Sequence, residues 1–109
     1  MKKIEIVRLY QTISKAKFDK VESKEDRFKF YDMILSLGKV FDEYVASESK
    51  AFETITDEME RNEYMRKMAF SEASVEIPKI SKESIYELLD SNKDSMTLGD
   101  LQLLMLVCE

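Results

Sequence analysis

Histidine is absent from this 109-residue chain, and cysteine occurs once, at Cys108. Without imidazole there is no histidine base, no Cys–His pair and no mixed Cys/His zinc set. A lone cysteine makes no internal disulfide, so a reducing compartment is the simplest reading. Two glycines and one proline leave little material for strand turns or long loops, which favours helix. No stretch approaches the roughly 20 apolar residues that a membrane span needs. The opening Met1-Lys2-Lys3-Ile4-Glu5-Ile6-Val7-Arg8 lacks the uninterrupted apolar run of a signal peptide. A cytoplasmic protein with no membrane partner is expected.

What the chain does have is hydrophobic residues at 44% and charged residues at 36%, enough for one thin core in a single helical domain over residues 1–109. The charge is uneven. Residues 1–31 hold nine Lys/Arg against five Asp/Glu, and residues 32–109 hold eight against seventeen. A basic head on an acidic body has two readings. One is a nucleic-acid footprint using Lys2, Lys3, Arg8, Lys15 and Lys17. The other, favoured because the whole chain carries −5 and would repel a polyanion, is a basic first helix lying beside an acidic second.

The organising stretch runs from Ser23 to about Arg61. Phe30, Ile34, Leu37, Phe41, Tyr44, Ala51 and Ile55 recur in steps of three and four, interrupted at Glu48, which is the period of one helix face. Such a rod is on the order of 50 Å long, too long to be covered by its own neighbours, so it needs partners in this chain or another. A first helix is expected from about Lys3 to Phe18, with Ile6, Leu9, Ile13, Ala16 and Tyr10 inward. Residues 19–23 would be a short connection, making a helical hairpin. Ser23 reads as an N-cap, with the carboxylate of Asp26 three residues on as in a capping box. The first helix would cover Phe28 to about Tyr44, leaving Phe52, Ile55 and Met59 beyond its reach. Gly38, at mid-helix, marks either a close approach or a bend.

From Thr56 to Ser74 either the long helix continues or a second, frayed one begins after Asn62. Met59, Met65 and Met68 there read first as ordinary core filling, and second as an adaptable contact surface. Residues 73–78 alternate apolar and polar up to Pro78, so a short strand with no visible partner is open, as is no strand at all. In the tail, Ser81 caps a helix of about Lys82 to Asp90, with Ile80 and Ile85 placed as a hydrophobic staple. Thr97 caps the last helix, with Asp100 three residues on and Met96 and Leu101 as a second staple. That helix continues through Leu103, Leu104, Leu106 and Val107 and is apolar almost all round, so burial by another copy of itself is expected.

Few residues suggest chemistry. Asp90-Ser91-Asn92-Lys93-Asp94 matches the opening of an EF-hand loop, but Ser95 replaces the glycine and Leu101 the bidentate glutamate. Turn and capping geometry is the ordinary reason for such residues. Asp42-Glu43, Asp57-Glu58 and Glu60 with Glu63 are carboxylate pairs of a solvated helix face. No phosphate-binding glycine loop or nucleophile motif is present, and Cys108 reads as a small hydrophobe. No catalytic residue, cofactor or metal is expected.

The opening Ile4-Glu5-Ile6-Val7-Arg8-Leu9-Tyr10, the long charged helix, Ile80-Ser81-Lys82-Glu83-Ser84-Ile85 and Thr97-Leu98-Gly99-Asp100-Leu101 together resemble small helical proteins encoded by bacteriophages and prophages. The resemblance implies a helical protein from a mobile element, with no catalytic residues to carry over. The fold expected is mainly α: a helical hairpin with one long helix, a short extended link and a C-terminal helix pair. The function expected is a non-enzymatic protein–protein interaction or assembly module, a homo-oligomer or a binder of another protein. Its partner-binding residues would be Phe52, Ile55, Met59, Leu103, Leu104, Leu106 and Val107. The rivals are the nucleic-acid regulator above and an acidic inhibitor or antitoxin-like protein. The latter would present Asp42, Glu43, Glu48, Glu53, Asp57 and Glu58 to a basic partner.

Overall fold

The computed structural model describes all 109 residues. Five helices follow one another: α1 Lys3–Ser14, α2 Lys24–Thr54, α3 Glu58–Phe70, α4 Lys82–Ser91 and α5 Leu98–Met105. The fold is mainly α, as the periodicity predicts, and it has no named strand. At 31 residues, α2 is about 46 Å long and sets the longest dimension of a 50 × 27 × 19 Å particle.

Helix α1 packs against the first part of α2 as the expected hairpin. Tyr10 stacks on Phe41 with ring centroids 4.8 Å apart. A Cβ at Gly38 would lie 3.2 Å from Tyr10 Cε1, so Gly38 serves close approach of α1. The hairpin differs from expectation at its turn. Helix α1 ends at Ser14 rather than Phe18, because the buried amide of Asn92 holds the chain after it. Lys17 N donates to Asn92 Oδ1 at 2.8 Å, and Asn92 Nδ2 donates to Lys17 O at 2.7 Å and Leu88 O at 2.8 Å. The connection therefore spans residues 15–23, and Val21 within it is buried.

The long helix stops earlier than Arg61. Ile55 leaves helical geometry at φ −105°, ψ 103°. Asp57 then caps α3, accepting from Met59 N at 2.8 Å and Glu60 N at 3.2 Å. A second helix thus begins at Glu58, before Asn62, and doubles back along α2 until Ser71 O accepts from Lys3 N at 2.9 Å. None of its residues is fully buried.

Residues 72–80 run extended. Ala73, Val75 and Ile77 are half-buried against the core while Ser74 and Glu76 are exposed, so the alternation is real but no ladder forms. Single bridges close each end, Lys2 with Glu72 and Ile80 with Cys108. The staple pair Ile80 and Ile85 is fully buried, and Met96 and Leu101 pack beside the same core. Ser81 and Thr97 cap α4 and α5 as expected, each accepting from the backbone N–H three residues on at 3.3 Å.

Ser23 also caps its helix, accepting from Asp26 N at 3.2 Å, but Asp26 does not complete a capping box. Its buried carboxylate instead accepts from Ser81 Oγ at 2.6 Å and from Ser84 Oγ. Burial pushes Asp26 up. The hydrogen bonds from Ser81 and Ser84 and the charge of Lys29 outweigh it and hold the carboxyl below the usual range. One carboxylate thereby joins the first turns of α2 and α4.

The core is a single cluster at this end of α2. Ile6, Leu9 and Ile13 of α1 meet Phe30, Met33 and Leu37 of α2, with Val21, Ile80, Ile85, Leu88, Leu104 and Val107 closing it. Each such side chain contributes about 1.5–3 kcal/mol by leaving water. Of the last helix only Leu104 is fully buried in this core, joined by Val107 just beyond it; Leu98, Met105 and Leu106 are exposed.

Candidate interaction surface

The seven side chains expected to touch a partner do not form one surface. Leu104 and Val107 are fully buried, so they are unreachable in the folded chain. Leu103 is half-buried against the core and Leu106 is partly exposed at the end of α5. These four lie near the start of α2, where Glu109 comes within 4.0 Å of Lys29. Phe52, Ile55 and Met59 lie at its far end, about 35 Å along the helix.

Those three sit where α2 breaks and α3 starts. Met59, in the first turn of α3, is 83% exposed, and Phe52 is 60% exposed. Ile55 is half-buried at the break itself. Arg61 covers one side of the group. Its guanidinium carbon lies 4.5 Å from the Phe52 ring centroid, and Nη1 donates to Ile55 O at 3.4 Å. Arg61 Nε is buried without a partner. Farther along α3, Tyr64 is exposed beside Met59. Two of the three methionines named as core filling, Met65 and Met68, are half-buried, and Met59 is not.

A second apolar row escaped the sequence reading. Phe28, 65% exposed, Leu35, 70% exposed, and Tyr31 between them line the outer face of α2. Phe30, the first residue of the expected stripe, takes its core position, whereas Phe28, the near limit of the stretch expected under α1, points away and packs edge-on to Tyr31 at 6.4 Å. Val45 and Phe52 continue the exposed row toward the break. The signal was in the sequence, as apolar residues on the helix face opposite the chosen stripe.

The charged candidates are arranged as follows. Asp42, Glu43, Glu53, Asp57 and Glu58 are exposed and Glu48 is half-buried; Glu53, Asp57 and Glu58 lie beside the apolar group at the far end of α2, and Asp42 and Glu43 near its middle. Asp57 is engaged as the cap of α3. Burial and the nearby Glu48 push the Tyr44 hydroxyl up, and Arg8 opposes them. On α3, Glu63 accepts two hydrogen bonds from Arg66, which hold its carboxyl below the usual range. Of the basic residues, Lys2 sits over the Phe70 ring at 5.2 Å. Arg8 and Lys15 line a shallow groove of about 740 Å³ between α1 and the start of α5, shared with Glu5 and Asp100.

That groove is mixed in charge. Thr12 Oγ1 donates to Asp100 Oδ1 at 3.0 Å, while Asp100 Oδ2 accepts from Thr97 N at 2.9 Å. The carboxylate is held as a helix cap. The EF-hand-like stretch is likewise committed elsewhere, with Asn92 on Lys17 and Asp90 paired to Lys20 at 3.3 Å. No three of His, Cys, Asp and Glu converge as a metal site would require, and no helix is long and apolar enough to cross a membrane.

No protein-family model, no curated protein and no solved structure matches the chain.

Proposed function

We propose that this protein is a non-enzymatic protein–protein interaction module that self-associates, acting in the cytoplasm. One observation carries the reading. A 13-residue helix without a single buried residue, α3, is held against the bare half of α2, with Phe52, Met59 and Tyr64 left to solvent around their junction. Helices of this length gain most of their stability by burying an apolar face, and apolar surface of this kind on a soluble chain is the mark of a contact site. The unpaired Cys108 fits a reducing compartment.

Light scattering across a range of concentrations tests the proposal. The expected result is a dimer or larger species that dissociates on dilution. A strict monomer at every concentration would overturn self-association.

The acidic-inhibitor reading has its own support in Glu53 and Glu58, exposed at the same junction, and in Asp42 and Glu43, exposed near the middle of α2. On that reading the partner is basic, and its binding weakens steeply as salt rises. Binding unchanged by salt would exclude it.

A further inference from the structure

The outer face of α2 has a second period. From Phe28 to Phe52, steps of three and four pass through Tyr31, Leu35, Gly38, Asp42, Val45 and Ser49. That spacing is 3.5 residues, the repeat with which a helix keeps one seam toward a partner helix. Five of the eight positions are large and apolar, and all five are exposed. The core-facing residues Met33 and Val40 lie on the opposite side of the helix.

The seam is complementary to itself in one direction. Run antiparallel to a second copy about a two-fold axis at the level of Val40, Phe28 meets Phe52 of the second copy, Leu35 meets Val45 and Tyr31 meets Ser49. The apolar pairs form by symmetry at both ends; at the middle, Tyr10 of the same chain covers Gly38, and Asp42 of the second copy comes level with that ring. Charge points the same way. Arg27 comes level with Glu53 of the second copy and Lys24 with the acidic turn at Asp57, while Lys39 lies beside Asp42. A parallel pair would set Asp42 on Asp42 and Arg27 on Arg27, which is repulsive at both places.

We infer that the partner for this face is a second copy of the chain, docked antiparallel along α2 in this register. The inference rests on the self-association proposed above and adds its surface and geometry. The seam from Phe28 to Phe52 is about 36 Å long. Tyr10, which lies over Gly38, forms its wall at the two-fold axis.

Cross-linking tests the register. In a Cys108→Ser background, Leu35→Cys and Val45→Cys are made separately; both positions are exposed, and circular dichroism checks that helicity is kept. Under a mild oxidant, the mixture is expected to give disulfide-linked dimer, and either variant alone to give none, since like positions lie about 15 Å apart along the helix. In the uncross-linked protein, Leu35→Asp is expected to raise the dimer dissociation constant about tenfold or more. Cross-linking of Leu35→Cys with itself would overturn the inference in favour of a parallel pair. A dimer mass by light scattering without the mixed cross-link would overturn this surface and leave self-association standing. A monomer throughout would overturn both.

Discussion

Asp26, Phe30, Met33 and Leu37 are all buried in the first half of α2, whereas in its second half only Ala51 is. The two halves share one helix, one hydrogen-bond ladder and similar periodicity. They differ in what reaches them. The first half is met by α1, by the Ile80 segment, and by α4 and the tail through Ile85, Leu88, Leu104 and Val107. The second half is met by α3, whose charged sequence offers only half-buried Met65, Met68 and Ala69. Helix periodicity states that a face is apolar, and the length of the covering element decides whether that face becomes core. At 12 residues, α1 is about 18 Å long, and it cannot line a 46 Å rod.

The comparison is broken most sharply by truncating matching aromatics. Phe30→Ala should cost about 3–5 kcal/mol, because it empties a closed core. Phe52→Ala should stay within about 0.5 kcal/mol in dilute solution, where no partner covers it. Urea unfolding of both variants measures the contrast. Equal losses would mean that the far end is as well packed as the near one.

Next in size are the polar anchors of the near half. Asn92→Ala strips the partners from Lys17 N and O, and should cost about 2–3 kcal/mol by thermal or urea unfolding. Asp26→Ala leaves the hydroxyls of Ser81 and Ser84 without their acceptor, at about 2 kcal/mol. This second effect depends on pH. The folded carboxyl titrates below its unfolded value. Its stabilisation is therefore complete above the unfolded pKa of about 3.9, and is lost as pH falls through the folded value. The gap between wild type and Asp26→Ala should close in acid. A gap that stays constant down to full protonation would show that the serines, not the charge, are what matters.

Smaller effects sharpen the boundary. Gly38→Ala gains about 1 kcal/mol of helix propensity, but its Cβ meets the Tyr10 ring that Phe41 holds in place. A net loss of about 1 kcal/mol is expected; a net gain would show that α1 can shift outward. Smallest of all, Glu63→Gln removes the exposed Arg66 pair on α3 and should leave the melting temperature unchanged, as isolated surface pairs usually do.

Much of this fold was legible because its signals are local. Ser23, Ser81 and Thr97 cap helices through backbone groups three residues away, and Ile80 with Ile85 announces the start of α4. The break before α3 carried the same kind of signal, Asp57 followed by Glu60, but the apolar stripe running through Ile55 masked it. The rest depends on distant partners. Asn92 reads as a turn residue, and nothing near it in the chain points to Lys17, 75 positions away. The same holds for Asp26, whose partner Ser81 lies 55 positions on. Leu104 and Val107 look like contact residues because a short apolar helix does not reveal what buries it. Their cover, Ile80 and the near half of α2, is set by closure of the whole chain. Phe52, Ile55 and Met59 could be grouped from sequence because the shortness of the first helix was itself visible.

The buried faces of α1, α4 and α2 are complete within one chain, while the outer face of α2 from Phe28 to Phe52, with the start of α3 beside it, is left for a second copy to cover. Amide hydrogen exchange at rising protein concentration is the measurement to make. Exchange is expected to slow along α2 from Phe28 to Phe52 and in the first turn of α3 as concentration rises, while amides of α1 and α4 stay as they are in dilute solution. Exchange along α2 that is the same at every concentration would overturn self-association through this face.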